Sequence, residues 1–432
     1  VTTTTTRRGA PSAKAPATRT RKSTEKTTNR GSRGRSASSG PGRGVIDLRD
    51  RRPAPAKATR TRRAPSGHRS GAYLTILSLV ITLNLLGLAM ILSASSVTSV
   101  ERYGSPWYQF TRQLLWFGLG LGAVIGCLRV DYRSWRRFAP RLVLGSVVLL
   151  VLVLVPGVGM EVNGATRWLG YGPLSIQPSE VAKLALVVFW ADLLARRADR
   201  IHDWRAGLKP VLVTFAVAAG LIMLQPNLGT ATIIFVTMWV MLFVAGVPLK
   251  PLGAVLAAGA AAAAMFAVLF PWRWRRISAF RDPWSDPQGV GYQTIQSKVG
   301  LANGGITGTG LGQGRAKWGF LPEAHTDFIF TIIGEEAGLI GALVVVGMFV
   351  TLAVAGINVA LRAADRFGML LAAGITTWFL SQAFFNIGQS VGALPVMGVP
   401  LPFVSSGGSS LVVNMAAAGI LLNVARHTRT SR

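Results

Sequence analysis

Glu323, His325 and Asp327 lie close together in the stretch Leu321-Pro-Glu-Ala-His-Thr-Asp-Phe-Ile-Phe330, where a long loop runs into a strongly apolar segment. Two further acids, Glu335 and Glu336, follow inside that segment. Carboxylates at the edge of a hydrophobic span are costly to place and commonly mark a site or a pathway. In a partly dry setting such a group can take a proton from a hydroxyl.

Three other polar stretches interrupt the apolar pattern. The first is Asn163-Gly-Ala-Thr-Arg-Trp-Leu-Gly-Tyr-Gly-Pro-Leu-Ser-Ile-Gln-Pro-Ser-Glu-Val-Ala-Lys183. In it, Arg167 and Trp168 offer phosphate donors beside an aromatic surface. Pro178 suits the first turn of the following helix. Glu180 and Lys183 then sit three apart on one helical face. They are either a pair that neutralises itself or groups that face a polar cavity, leaving Lys183 to meet a phosphate. The second stretch, Trp272-Arg-Trp-Arg-Arg-Ile-Ser-Ala-Phe-Arg281, is basic. Its arginines either sit in solvent or meet an anionic ligand such as a lipid phosphate. The third runs from Asn386 to Ser410 and holds several prolines and glycines. Non-helical backbone at a membrane edge must be shielded by protein or line a cavity. Ser405 to Ser410 could supply hydroxyl and amide donors there, or simply form a turn.

Composition says what carries these groups. Of 432 residues, 50% are hydrophobic and only 15% charged, and the mean hydropathy is +0.41. Residues 1–71 are different, with 19 lysines and arginines against Glu25, Asp47 and Asp50. This stretch is too poor in aliphatic clusters to fold alone and is expected to be a disordered, basic, cytoplasmic tail. It suits an anionic membrane face or acidic partners. It has no nucleic-acid reading motif and no signal-peptide core, so the first span is expected to serve as the targeting signal.

Residues 72–432 form the membrane domain. Ten apolar runs are long enough to cross a bilayer: 74–95, 110–128, 141–156, 178–195, 210–225, 228–247, 252–271, 327–356, 367–390 and 404–425. The expected fold is an all-α integral membrane protein with about ten transmembrane helices. Basic residues in the tail, in 129–141 and in 196–209 put both termini in the cytoplasm. A long external loop, 272–326, then joins spans seven and eight. The run at 327–356 is over-long, so its start is at the interface or the helix is tilted.

Other chemistry is poorly supported. Gly304-Gly-Ile-Thr-Gly-Thr-Gly-Leu-Gly-Gln-Gly314 lacks the Lys-Ser/Thr ending and preceding strand of a phosphate loop, and reads as a flexible loop. The histidines are scattered, which argues against zinc. The single cysteine, Cys127, excludes an internal disulfide and reads as a small buried residue.

Asn163–Lys183, Gln225–Thr230, Pro322–Phe330 and Asn386–Ser410 together resemble the SEDS family of bacterial cell-wall polymerases, represented by FtsW, RodA and SpoVE. The likeness runs in order along residues 72–425. Ala324, in Pro-Glu-Ala-His-Thr-Asp, is similar to the division branch; glutamine is common there in the RodA branch. Asn227 stands where many members carry Asp, so a charged role does not carry over to it.

The resemblance implies a peptidoglycan glycosyltransferase of the cytoplasmic membrane, acting at the division septum. It would polymerise lipid II at the outer face, with undecaprenyl pyrophosphate leaving. The family's catalytic aspartate maps onto Asp327, and its cavity acid and base onto Glu180 and Lys183. The sugar hydroxyl needs a base, for which Asp327 is the best placed. The leaving pyrophosphate needs cations, available from Lys183, Arg167 and the 273–281 arginines including Arg276. His325, Ser405 and Ser406 complete the expected substrate contacts. The resemblance fixes no cofactor, and a divalent cation, Mg or Mn, could assist. The implied partners are lipid II and its polyprenyl lipid, a class B penicillin-binding protein transpeptidase and other divisome proteins, and not nucleic acid. A lipid II flippase or a noncatalytic transpeptidase scaffold are the alternatives.

Overall fold

The computed structural model describes residues 71–428, apart from 163, 172, 173 and 270. The expected disordered tail, up to residue 70, lies outside the described residues. The helices are α1 (Gly71–Tyr103), α2 (Tyr108–Arg129), α3 (Trp135–Leu152), α4 (Pro178–Arg196), α5 (Lys209–Leu224), α6 (Leu228–Ala245), α7 (Leu249–Leu269), α8 (Pro271–Arg281), α9 (Tyr292–Gly304), α10 (Ile329–Leu361), α11 (Arg366–Ser390) and α12 (Gly408–Arg426). A helix occupies each of the ten apolar runs, with shifted ends.

Among the described residues, seven helices are long and apolar enough to cross a membrane: α1, α2, α6, α7, α10, α11 and α12. The other three fall short for identifiable reasons. α3 opens with Arg136, Arg137 and Arg141, α4 carries Glu180, Lys183 and Asp192, and α5 has only 16 residues.

The fold is not all-α. The loop between α3 and α4 forms an antiparallel sheet of β1 (Gly159–Val162), β2 (Ala165–Tyr171) and β3 (Leu174–Ile176), in the order β1-β2-β3. The sequence carries the signal. Asn163-Gly164 is a favoured hairpin dipeptide, and Gly164 has a positive φ of 74°. The 272–326 segment, expected to be an external loop, is also structured, since it contains most of α8 and all of α9.

The over-long run resolves into two helical pieces. α10 breaks at Gly338, where φ is 69° and ψ is −169°. The break frees backbone groups that the Gly-rich loop then satisfies. Leu339 N–H donates to the Gly305 carbonyl at 3.0 Å and Ile340 N–H to that of Ile306 at 3.2 Å. In return, Thr309 and Gly310 N–H donate to the carbonyls of Glu335 and Glu336, each at 3.0 Å. A Cβ at Gly338 would lie 2.4 Å from Gly308 N and Ile306 O, so glycine is required by space as well as by φ.

Both acids before the break are consumed in the same way. Glu335, fully buried, accepts from Arg315 N–H at 2.9 Å and Ala316 N–H at 3.0 Å. Glu336 accepts from Gly312 N–H at 3.0 Å, Ser93 Oγ at 2.6 Å and Lys317 Nζ at 3.0 Å. The Gly304–Gly314 segment and the residues just after it are thus pinned to α10, through backbone carbonyls at Thr309 and Gly310 and through carboxylates at Gly312, Arg315 and Ala316.

Elsewhere the bundle closes by close helix approach and by satisfying helix ends. Gly419 of α12 packs on Val124 and Cys127 of α2. Asn423 Nδ2 donates to the carbonyls of Cys127, Leu128 and Val130 at 3.0, 3.1 and 2.7 Å, covering acceptors the end of α2 cannot pair internally. At that end of the bundle Asp192 pairs with Arg136 and Arg196, and Asp365 with Arg133.

Lys317→Met strands the buried Glu336 carboxylate. The expected cost is about 3 kcal/mol or more, seen as a lower apparent unfolding temperature in detergent. Arg315→Gln, which keeps the backbone donor to Glu335, should be near neutral. A Lys317→Met protein as stable as wild type would show that the ion pair does not hold the loop.

Candidate active site

The four polar stretches meet at one end of the bundle. Arg167 of β2 donates from Nε to the Gln225 carbonyl at 2.9 Å and from Nη2 to the Pro226 carbonyl at 2.6 Å. This ties the sheet to the α5–α6 reversal, where Asn227 Oδ1 accepts from Thr230 N–H at 3.3 Å to cap α6. Gly229, in the first turn of α6, sits against Met397 and Val399. Gln177, just before α4, donates its N–H to Ser409 Oγ at 3.0 Å.

Asp327 lies at the centre of this convergence, one residue before Phe328, which anchors the turn as a fully buried ring. The turn is wound tightly by Glu323, whose φ is +55°. The Glu323 carbonyl accepts N–H groups from Thr326, Asp327 and Phe328 at 3.1, 3.0 and 3.3 Å. Its carboxylate accepts from Thr326 Oγ1 at 2.8 Å. A non-glycine residue at positive φ costs about 1–2 kcal/mol, so this turn is held by its surroundings.

The main surroundings are two amides that sequence reasoning missed. Asn386 Nδ2 donates to the Asp327 carbonyl at 2.8 Å and to the Val399 carbonyl at 2.7 Å. Gln389 Nε2 donates to the same Asp327 carbonyl at 2.9 Å, and its Oε1 accepts from Met397 N–H at 2.9 Å. The two lie three apart on one face of α11. Both lie at the start of the Asn386–Ser410 stretch, beside a loop that has to be shielded.

The serines play backbone roles of the same kind. Ser405 Oγ donates to the Thr326 carbonyl at 2.6 Å and accepts from Leu401 N–H at 2.7 Å. Ser406 N–H donates to the His325 carbonyl at 2.9 Å. Ser405 is buried and committed, whereas Ser406 stays partly exposed.

The Asp327 carboxyl is enclosed yet still partly exposed. Burial pushes its pKa up, and Glu323 pushes it further, to about 7, against the opposing pull of Arg167 and Arg276. Its Oδ2 lies beside Gly398, where a Cβ would be 3.5 Å away. The structure thus brings Asp327, Arg167 and Arg276 into one electrostatic group. Arg276 is exposed on α8, as are Arg275 and Arg281; the side chain of Arg273 lies outside the described residues. His325 is half-buried. Burial lowers its pKa, Glu323 raises it, and Arg102 and Arg112 lower it, which keeps the imidazole neutral near pH 7.

Glu180 and Lys183 are placed differently. Nζ lies 2.9 Å from Glu180 Oε1, and each residue is only 2% exposed. Nζ also sits 5.0 Å from the centre of the Trp378 ring. The adjacent crevice is lined by Val187, Trp190, Ile234, Thr237 and Trp378 and is too narrow for a water molecule. Of the two readings open to the pair, this geometry favours mutual neutralisation.

Among the described residues, no group of three or more His, Cys, Asp or Glu side chains gathers to hold a metal ion.

Residues 73–430 match the family of FtsW, RodA and SpoVE, described as cell cycle proteins. A probable peptidoglycan glycosyltransferase FtsW from Geobacter metallireducens is 43% identical over 81% of this chain and 94% of its own length. Stage V sporulation protein E of Bacillus subtilis is 42% identical over 82% of this chain and 97% of its own. Among solved structures, a chain from a peptidoglycan synthase complex that coordinates polymerization and crosslinking superposes with a TM-score of 0.68. It is 32% identical, over 81% of this chain and 96% of that one. The rod shape determining protein RodA of Thermus thermophilus gives a TM-score of 0.61 at 28% identity, over 82% and 97%. With its four motifs gathered around one recessed aspartate, this multi-pass membrane protein belongs to the FtsW/RodA/SpoVE family.

Proposed function

We propose that the chain is a peptidoglycan glycosyltransferase that polymerises lipid II at the outer face of the cytoplasmic membrane, for septal wall synthesis in division. One observation carries the mechanism: a partly exposed carboxyl sits on a turn clamped by Asn386 and Gln389, where burial and Glu323 push its pKa up to about 7 against the charges of Arg167 and Arg276. Near neutral pH such a group is part ionised and well matched to general-base work.

Asp327 takes the proton of the acceptor sugar hydroxyl as that oxygen bonds to the anomeric carbon of the donor. The bond from that carbon to the pyrophosphate oxygen breaks. Arg276 and Arg167 stabilise the negative charge that develops on the leaving pyrophosphate. Arg167 does so as a fixed charge, since two of its N–H groups already hold Gln225 and Pro226. Asn386 and Gln389 position the base. The Glu180–Lys183 pair supports α4 from inside the bundle.

The ten-helix arrangement is read as ten spans with both termini cytoplasmic, supported by the basic loops at 129–141 and 196–209. The basic residues 1–71 are read as a cytoplasmic tail that recruits partners and leaves catalysis to residues 72–432. The likeness to a chain of a peptidoglycan synthase complex supports a class B penicillin-binding protein transpeptidase as partner within the divisome.

Polymerisation of purified lipid II in detergent tests the function directly, because no leaflets exist there for a flippase to connect. Asp327→Asn should abolish glycan strands while leaving a folded protein; normal strand synthesis by that variant would remove Asp327 from the chemistry. Asn386→Ala combined with Gln389→Ala should lower kcat about a hundredfold with little change in KM, the signature of a displaced base. An unchanged kcat would mean that the clamp does not position Asp327.

The double change Glu180→Gln with Lys183→Met should retain far more activity than Lys183→Met alone, because it removes both charges together. Equal loss in the single and double variants would return Lys183 to the substrate site.

A further inference from the structure

α12 begins at Gly408 with no side chain capping it, and Gly407 before it is extended. The first-turn amides of a helix carry its positive dipole end and have no partners within the helix. A second observation points to the same place. Trp116 of α2 is 5% exposed, and its Nε1 has no hydrogen-bond acceptor among the described residues. That indole edge lies against the start of α12, since a Cβ at Gly408 would be 2.4 Å from Trp116 Nε1. A buried donor left unpaired costs about 1–3 kcal/mol, so its position marks a missing acceptor.

Arginine charge lies beside the spot, with Glu323 acting on the neighbouring His325. Arg112 precedes Trp116 by one turn on the same face of α2. Its Nη2 reaches Ser175 Oγ at 3.4 Å, next to the strand end that joins Gln177 to Ser409. His325 is tied in through Ser406, and the charges of Arg102 and Arg112 both act on it. Ser406, Gly407 and Gly408 remain partly exposed, which leaves the cradle open.

We propose that the α12 N-terminus, Trp116 Nε1 and Arg112 form a binding site for a lipid-linked phosphate, separate from the Arg167 and Arg276 charges. This rests on the polymerase reading. Donor and acceptor are both lipid-linked pyrophosphates, so the reaction needs two anion subsites flanking one base. Arg167 and Arg276 supply one and the α12 cradle the other. The same chemistry would also accept a phospholipid headgroup.

The test measures binding without turnover, in full-length Asp327→Asn protein in detergent, with native mass spectrometry counting bound lipids. The probes are undecaprenyl pyrophosphate and, separately, phosphatidylglycerol. Trp116→Phe removes the N–H and keeps the ring; Arg112→Gln removes the charge on a half-exposed side chain. Each should weaken one bound equivalent of undecaprenyl pyrophosphate about tenfold, with Arg112→Lys recovering part of the loss. In otherwise wild-type protein, the same changes should raise KM for lipid II more than they lower kcat. Weakening confined to phosphatidylglycerol keeps the phosphate site but assigns it to membrane lipid. Unchanged binding of both lipids in folded variants overturns the proposal. If Asp327→Asn itself polymerises normally, the polymerase mechanism fails while the binding result still stands.

Discussion

The Asp327 carbonyl receives two amide donors, from Asn386 at 2.8 Å and Gln389 at 2.9 Å, and much of this end of the molecule follows from that demand. A catalytic carboxyl on an apolar bundle must leave the helix to reach substrate. Once it does, its backbone loses helical partners in a region where water cannot replace them. Polar side chains on neighbouring helices then have to supply donors and acceptors. Those side chains hold the turn that carries Asp327, with Glu323 in its left-handed state.

The same constraint recurs wherever the chain departs from a helix. At Gly338 the two halves of α10 exchange hydrogen bonds with the Gly-rich loop, and the carboxylates of Glu336 and Glu335 accept the N–H groups of Gly312, Arg315 and Ala316. Arg167 covers the carbonyls of the α5–α6 reversal, and Asn423 those at the end of α2. Each device locks one loop to another element. The result is a rigid platform whose acids are mostly paired internally, so that Asp327, partly exposed and held near pKa 7, stands out as chemically available.

Sequence legibility tracks which interactions are local. The apolar runs were legible because membrane helices are specified residue by residue, and helices occupy all ten. The motif around Asp327 was legible because acids beside an apolar run are conspicuous. What was not legible depended on contacts distant in sequence. Glu335 and Glu336 looked like site residues until the loop some twenty positions earlier supplied their donors. Ser405 looked like a substrate donor, yet its hydroxyl is spent on Thr326, 79 positions away. Lys183 had two readings because spacing alone cannot say whether a helical face meets a cavity or Trp378. The hairpin at Gly164 was the exception, a local signal overlooked because the flanking spans favoured an all-helical reading.

The central claim is that Asp327 acts as an ionised base whose pKa is set by burial and by Glu323. The pH dependence of lipid II polymerisation tests it most directly. A base must be deprotonated, so the rate of the purified enzyme should fall as pH drops through about 7. Glu323→Gln removes a negative charge that holds the Asp327 proton, and should move that acid limb to lower pH. An acid limb near the ordinary carboxylate range, or one that does not move in Glu323→Gln, would contradict the account.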